Sequence, residues 1–229
     1  MRITYIDIGL HKDAKEIGMM MGIVDDIRST GNDVELEVFG YEAHPAYVQR
    51  LKLLYRNHPN IHIRQAAICG HDGSASLYLS PSTGGEGNSI HASKNNVIGK
   101  SIQVPARKLS SELLDIVKSG RLGDIVILRF NIEGAELEMM EDLIGTDTHE
   151  IIDIYCGAPS DIPKVHAIKH LHGQYQDLMA QAGIQFQRFH AHYQKEAQEQ
   201  MELKMGMILI EMMHGISSSH TSTREHSRK

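Results

Sequence analysis

Two acidic residues and a glycine stand where short apolar runs of the sequence end. Asp7 and Gly9 close the run that begins at Ile3, and Glu42 follows the run 34–41. A glycine at the end of a strand lets a ligand approach the backbone closely, because no Cβ is in the way. An acid at the end of the second strand of a doubly wound fold is placed to bind ribose hydroxyls. Taken singly, each feature is also typical of a turn or of a solvated strand end.

Together, the two acids indicate a nucleoside ligand that lacks a pyrophosphate, because the sequence has no Gly-x-Gly-x-x-Gly pattern. S-adenosylmethionine meets this description. Glu42 would bind its ribose, Ala67 would lie at its adenine, and Asp7 would lie near its amino-acid end. Its cationic sulfonium is also attracted to an anionic pocket. We therefore expect S-adenosylmethionine as the cofactor, and the missing glycine pattern argues against a nicotinamide-dependent oxidoreductase.

A third motif follows the most apolar strand, where residues 128–136 read Leu-Arg-Phe-Asn-Ile-Glu-Gly-Ala-Glu. With the opening Asp-Ile-Gly at 7–9 and Tyr-Glu-Ala-His-Pro at 41–45, the chain resembles the FkbM-type family of S-adenosylmethionine-dependent methyltransferases over about residues 3–145. The resemblance implies a class I methyltransferase domain with S-adenosylmethionine as the donor. It also implies O-methylation of a sugar, a polyketide or another small metabolite.

The resemblance assigns roles to individual residues at strand ends and in the turns that follow them. The implied donor-binding residues are Asp7, Gly9, Glu42, Ala67, Asp72 and Asn131. Glu133 would face the site of transfer. Asn131 stands where the family usually has an aspartate, so this position lacks a carboxylate that could accept a proton or hold the donor's ammonium.

A base that removes the acceptor's proton is useful in methyl transfer to oxygen, although positioning can supply much of the rate. We predict that this base is Glu133, or else His91. His91 belongs to the glycine-rich stretch 80–100, whose composition is typical of a mobile loop.

The 15 histidines invite a metal-binding interpretation. His170 and His172, like His190 and His192, are two residues apart, but neither pair has an acidic or cysteine partner at a useful spacing. Cys69 and Cys156 form no metal-binding spacing either. We therefore predict no metal site.

A second hypothesis is a catalytically degenerate methyltransferase fold that serves as a binding or assembly module. It is motivated by Asn131 and by His11 and Asp13, which stand where the family pattern usually continues with asparagine and glycine. It predicts that the donor binds weakly or not at all.

Strand patterns alternate with amphipathic helix patterns along the chain. This order predicts a doubly wound α/β fold with a mostly parallel sheet and helices on both faces, and the family resemblance implies a Rossmann-like, seven-stranded sheet. Ligands bind such sheets at the carboxyl ends of the strands. The predicted helices are 13–28, 45–57, 110–119, 135–143 and 165–182, and the predicted strands are 3–9, 34–41, 61–68, 75–79, 124–130, 151–155, 184–189 and 207–212.

Composition limits the classes of partner. The net charge of -6 and the pI near 6.2 disfavour binding to a nucleic-acid backbone. No segment approaches the roughly 20 apolar residues that span a bilayer, so we expect no membrane partner. We expect one domain over residues 1–215, a disordered polar tail at 216–229, a cytoplasmic location and a small-molecule or glycan acceptor. The sequence does not indicate the oligomeric state.

Overall fold

A computed structural model of the chain describes residues 1–81, 87–158, 160–191 and 194–226, with side chains described as far as residue 216. Gly84 and Gly85 of the glycine-rich stretch lie outside the described residues, as does His192 of the second histidine pair.

A parallel sheet of six strands forms the centre of the fold, in the order β3-β2-β1-β7-β8-β9. The chain builds outward from β1 to β3 and then crosses back to place β7 beside β1, as in other doubly wound sheets. The strands of this sheet are β1 (Arg2–Ile8), β2 (Glu35–Glu42), β3 (Ile61–Gln65), β7 (Ile125–Phe130), β8 (Ile154–Gly157) and β9 (Phe186–Arg188).

Helices cover both faces of the sheet, because alternate residues of its central strands point to opposite sides. Ile3 and Tyr5 of β1 pack with α1, α2 and α6, whereas Ile6 and Ile8 pack with α3, α4 and α5. The helices are α1 (Lys15–Ser29), α2 (Pro45–Leu54), α3 (Leu109–Lys118), α4 (Glu136–Gly145), α5 (His172–Gln181) and α6 (Lys195–His226). Short 3₁₀ helices occupy Thr148–Ile151, Ile162–Lys164 and Lys169–Leu171.

A second, three-stranded sheet begins at the carboxyl end of the central sheet, because β4 follows β3 after the single residue Ala66. Its order is β4-β6-β5, with β4 parallel and β5 antiparallel to β6. The strands are β4 (Ala67–Ile68), β5 (Gly73–Tyr78) and β6 (Ser101–Arg107). This small sheet places its residues beside the strand ends at which a ligand is expected.

The predicted count of seven strands in the central sheet is wrong, since the described residues form six there. The run 207–212 was predicted to be a strand but lies within α6. Its helix buries Met205, Leu209 and Met213, which recur at every fourth residue and pack in the same core as α1. A short apolar run such as 207–210 does not distinguish a strand from a buried helix, so its length and partners decide.

Helix α6 continues to His226, past the boundary at residue 215 that the sequence indicated. The division into a domain and a tail stays a prediction. Among the described residues, no helix has both the length and the apolar character that crossing a bilayer requires.

Candidate functional site

A cavity of about 430 Å³ lies at the carboxyl ends of the central strands, where β1 and β7 are neighbours. Five of the residues predicted for the site line it together: Gly9, Glu42, Ala67, Asn131 and Glu133. The carboxyl ends of the parallel strands therefore bring together residues from distant parts of the sequence. The other three predicted residues, Asp7, Asp72 and His91, are not among the described residues that line this cavity.

Glu42 presents a buried carboxylate to the cavity from the end of β2. Its Oε2 accepts a hydrogen bond from the backbone N–H of His11 at 2.9 Å, and its Oε1 accepts one from the N–H of His44 at 2.7 Å. Burial raises the pKa of Glu42, and these hydrogen bonds oppose that rise. The backbone N–H of Ala43 also donates to this carboxylate, which has about four acceptor positions, so Glu42 keeps capacity for a hydrogen bond from a ligand hydroxyl.

The backbone conformation at position 9 and the close approach of the Asn131 carbonyl both require a glycine. Its φ is +81°, and a Cβ at this position would lie 2.1 Å from the carbonyl oxygen of Asn131. The backbones after β1 and β7 therefore approach each other too closely for any side chain here. His11, also in the cavity wall, has a φ of 59°, which is uncommon for a residue other than glycine.

Asp7 lies beneath the cavity in a buried ion pair. Nη1 of Arg129 is 3.0 Å from Oδ1 of Asp7, and the hydroxyl of Tyr5 donates to its other oxygen at 3.2 Å. Nη2 of Arg129 donates to Glu16 of α1 at 2.8 Å. Burial raises the pKa of Asp7 to about 6, although Arg129 opposes the shift. The network joins β1, β7 and α1 directly below Gly9, whose carbonyl also accepts from Arg129 at 3.1 Å.

Glu133 also lines the cavity, just after β7, in the left-handed conformation with a φ of 59°. The Ser89 hydroxyl donates to its carbonyl oxygen at 2.7 Å, and its carboxylate forms an ion pair with Lys94. The Lys94 side chain is almost fully buried, and its ammonium is also 3.9 Å from Asp161. Residues of this kind in an uncommon backbone conformation often mark functional sites.

The carboxylates of Glu133 and Asp161 influence each other's pKa. Burial, together with the nearby Asp161, raises the pKa of Glu133 to about 7, while Lys94 opposes the rise. Burial opposes ionisation of Asp161, but its hydrogen bond with Glu133 and its ion pair with Lys164, at 2.6 Å, lower the pKa of Asp161. Glu133 can therefore both accept and release a proton near neutral pH, as a general base must.

Asn131 connects the cavity to the buried network below it. Its side-chain amide is 3.3 Å from Nε2 of His190, whose Nδ1 is 3.6 Å from Oε1 of Glu16. The sequence pattern indicated His190 only as one of a histidine pair considered for metal binding. Its place in the cavity wall follows from the chain after β9, which ends at the same edge of the sheet as β1.

His91 and Asp72 lie elsewhere. His91 packs against Gly134, where a Cβ would lie 3.0 Å from the imidazole Cδ2, and burial lowers the pKa of His91. Asp72 lies at the surface, where its carboxylate accepts from the backbone N–H of Lys108 at 3.1 Å. The roles assigned to these two residues stay predictions.

Three charged residues around Glu133 were not anticipated from the sequence: Lys94, which pairs with Glu133, and Asp161 and Lys164, which line the cavity. Asp161 had a usable signal, because it follows shortly after β8 at the edge of the sheet where ligands bind. The two lysines carry no comparable signal, since surface lysines are common and only the fold brings them to Glu133 and Asp161.

The sequence profile of the methyltransferase FkbM domain matches residues 7–196, which include all six central strands except the first residues of β1. No curated protein and no solved structure matches the chain significantly.

Proposed function

The chain belongs to the FkbM methyltransferase family, and from this we propose that it transfers the methyl group of S-adenosylmethionine to an oxygen of a small molecule or glycan. The observation that carries the proposal is the pair Glu42 and Glu133 in one cavity, each at a strand end. The volume of about 430 Å³ lies within the range of small-molecule sites.

The donor would bind at the β1 and β2 side of the cavity. Glu42 would accept a hydrogen bond from a ribose hydroxyl, and the apolar surface of Ala67 and Ile68 would contact the adenine. The acids around the cavity favour the positive charge that S-adenosylmethionine carries. Asp7 would stabilise the strands under this site and would not contact the donor, because its carboxylate is paired with Arg129.

The acceptor would bind at the Glu133 side. The bound donor supplies an electrophilic methyl group, which the acceptor oxygen attacks in line with the departing sulfur. Glu133 would take the hydroxyl proton, while Lys94 favours its ionised form and Ser89 holds its backbone in place. Lys164 and Asp161 would contact polar groups of the acceptor, because both line the cavity beside Glu133.

A non-catalytic binding module is the second candidate function. It is supported by the loss of a free carboxylate at two positions, since Asn131 replaces the family's aspartate and Arg129 neutralises Asp7. This candidate predicts weak or absent binding of S-adenosylmethionine and no methyl transfer.

Calorimetry and a transfer assay test the proposal together. We expect S-adenosylmethionine and S-adenosylhomocysteine to bind the wild-type chain, and Glu42→Gln to weaken both by at least about tenfold. The exposed Glu150→Gln, a matched control, should bind as the wild type does. A screen with tritium-labelled donor against sugar, polyketide and peptide acceptors then measures transfer. Donor binding with transfer to an acceptor supports the methyltransferase and contradicts the module. Weak or absent donor binding without transfer supports the module and contradicts the proposed methyltransferase.

A further inference from the structure

Outside the cavity, the fold gathers three residues whose side chains are typical metal ligands. One ligand atom each from Cys69, His71 and Glu138 lies within 4.8 Å of the others. We propose that these residues form a zinc-type metal site, with His91 as its fourth ligand. Thiolate, imidazole and carboxylate are the donor set of zinc, whereas magnesium and calcium prefer oxygen alone.

The separation of the first two ligand atoms fits tetrahedral zinc. Sγ of Cys69 is 3.6 Å from Nδ1 of His71. Bonds of about 2.3 Å to sulfur and about 2.0 Å to nitrogen, at a tetrahedral angle, place these two atoms about 3.5 Å apart. The two side chains therefore need little rearrangement to share one ion.

Gly70, between these two ligands, brings Glu138 to the site. Its N–H donates to Oε2 of Glu138 at 3.1 Å, and a Cβ here would lie 3.1 Å from both Cβ and Oε2 of Glu138. The turn after β4 thus approaches α4 closely and holds one carboxylate oxygen. The other oxygen, Oε1, remains for an ion.

His71 also has the supporting contact that metal-bound histidines usually have. Its second ring nitrogen, Nε2, is 3.5 Å from the carbonyl oxygen of Ser74. A proton on Nε2 donates toward this carbonyl and leaves Nδ1 with a lone pair for the metal.

His91 supplies an independent observation that indicates a ligand. Its Nε2 is buried, makes no hydrogen bond within the described part of the chain, and lies 3.9 Å from Oε1 of Glu138. A buried polar atom without a partner is costly. His91 lies outside the group whose ligand atoms are all within 4.8 Å of one another, so its imidazole would have to move toward the ion to bind it and satisfy this nitrogen.

The site would fix the second sheet to α4. Cys69 packs in a small apolar cluster with Ala106 and Ala135, against which Ile90 and Ile132 also pack. The last two line the cavity, so an ion bound to Cys69 would stabilise the cavity wall without contacting a ligand in it. We therefore assign the site a structural role. As the zinc–sulfur bond forms, the Cys69 thiol proton passes to solvent.

Metal titration of the full chain, with any affinity tag removed, tests this proposal without reference to methyl transfer. After treatment with a chelator, the protein is titrated with Zn²⁺ against a chromophoric competitor, and separately with Co²⁺ while absorbance is recorded. We expect one tight site per chain and a thiolate-to-cobalt charge-transfer band. The band is decisive because surface histidines, which also bind these ions, cannot produce it.

Single substitutions locate the site. Cys69→Ser should abolish the charge-transfer band, and His71→Ala should weaken zinc binding at least about tenfold. The matched controls Cys156→Ser and His170→Ala should retain both band and affinity. If Cys69→Ser does not fold, His71→Ala decides, because His71 is exposed.

Two results would overturn the proposal: a wild-type protein without the band, or equal zinc affinity in the wild type and His71→Ala. Unchanged affinity in His91→Ala would overturn the assignment of the fourth ligand.

Discussion

Nη1 of Arg129 lies 3.0 Å from Oδ1 of Asp7, and both side chains are almost fully buried. The pair joins the two strands whose ends meet at the cavity, and Glu16 extends it to α1. An acid that family resemblance assigned to the donor is thus part of the support under Gly9. The same network reaches the cavity through His190 and Asn131.

Removal of the Arg129 guanidinium should destabilise the fold strongly, because it leaves Asp7 and Glu16 buried without a cation. We predict that Arg129→Met lowers the free energy of unfolding by about 3–5 kcal/mol. The exposed pair of Arg28 and Asp25 supplies the control, since Arg28→Met should cost at most about 1 kcal/mol. Urea denaturation measures both values, and similar losses in the two variants would show that the buried network does not stabilise the fold.

The close approach at Gly9 makes a second prediction. Gly9→Ala should destabilise the chain by more than about 1 kcal/mol, because the new methyl group would collide with the Asn131 carbonyl and the φ of +81° is strained for alanine. Gly18→Ala, in α1 with open space around its Cβ position, should instead stabilise by about 0.5–1 kcal/mol. Thermal unfolding of the pair compares them, and equal melting temperatures would contradict the proposed collision.

Glu136 should make stability depend on pH. Burial raises its pKa from the ordinary 4.5 to about 7, so the folded chain holds this proton more tightly than the unfolded chain. Its stabilising contribution is therefore full below pH 4.5 and is lost as the pH rises through about 7. Glu136→Gln has no such loss.

We predict that the stability of Glu136→Gln relative to the wild type rises between pH 5 and pH 8.5, by up to roughly 3 kcal/mol. Chemical denaturation at the two pH values measures the difference. The exposed Glu141→Gln should show no such trend. A constant difference between Glu136→Gln and the wild type would contradict the raised pKa.

Glu133 should affect turnover rather than donor binding. We predict that Glu133→Gln lowers kcat by about 100-fold or more, while the Kd for S-adenosylhomocysteine stays within about twofold. Since the base must be ionised and its pKa is raised to about 7, wild-type kcat/KM should rise with pH up to about 7 and then level off. An unchanged kcat in the variant would exclude the role, as would a wild-type pH profile that is already flat below pH 6.

The sequence predicted which strand-end residues lie together better than it predicted the number of strands, for a physical reason. Strand ends in a parallel sheet meet at one edge, so Gly9, Glu42 and Asn131 could be placed together from local patterns alone. The strand β6 was missed, since Pro105 argues against a strand in the middle of a sheet, yet tertiary pairing overrides that preference. The six residues 207–212 are too few to show a helical period, and the spacing of Met205, Leu209 and Met213 appears only when the run is extended at both ends.

Contacts between distant segments could not be read from the sequence. Lys94 approaches Glu133 only because the stretch 87–100 is anchored through backbone pairing of Lys94 with Val165. The same holds for the proposed metal site: Cys69 and His71 are local neighbours, but Glu138 comes from α4. Spacing patterns detect ligands within one segment and miss those that a fold assembles.

The contact between Glu42 and the donor's ribose is the claim on which the proposed function depends most. Calorimetry with S-adenosylhomocysteine and its 2′-deoxy analogue, each titrated into wild type and Glu42→Gln, measures it directly. We expect the wild type to prefer the natural ligand by at least about tenfold and the variant to bind both nearly equally. Equal affinity of the wild type for the two ligands, or the same preference in Glu42→Gln, would contradict the account.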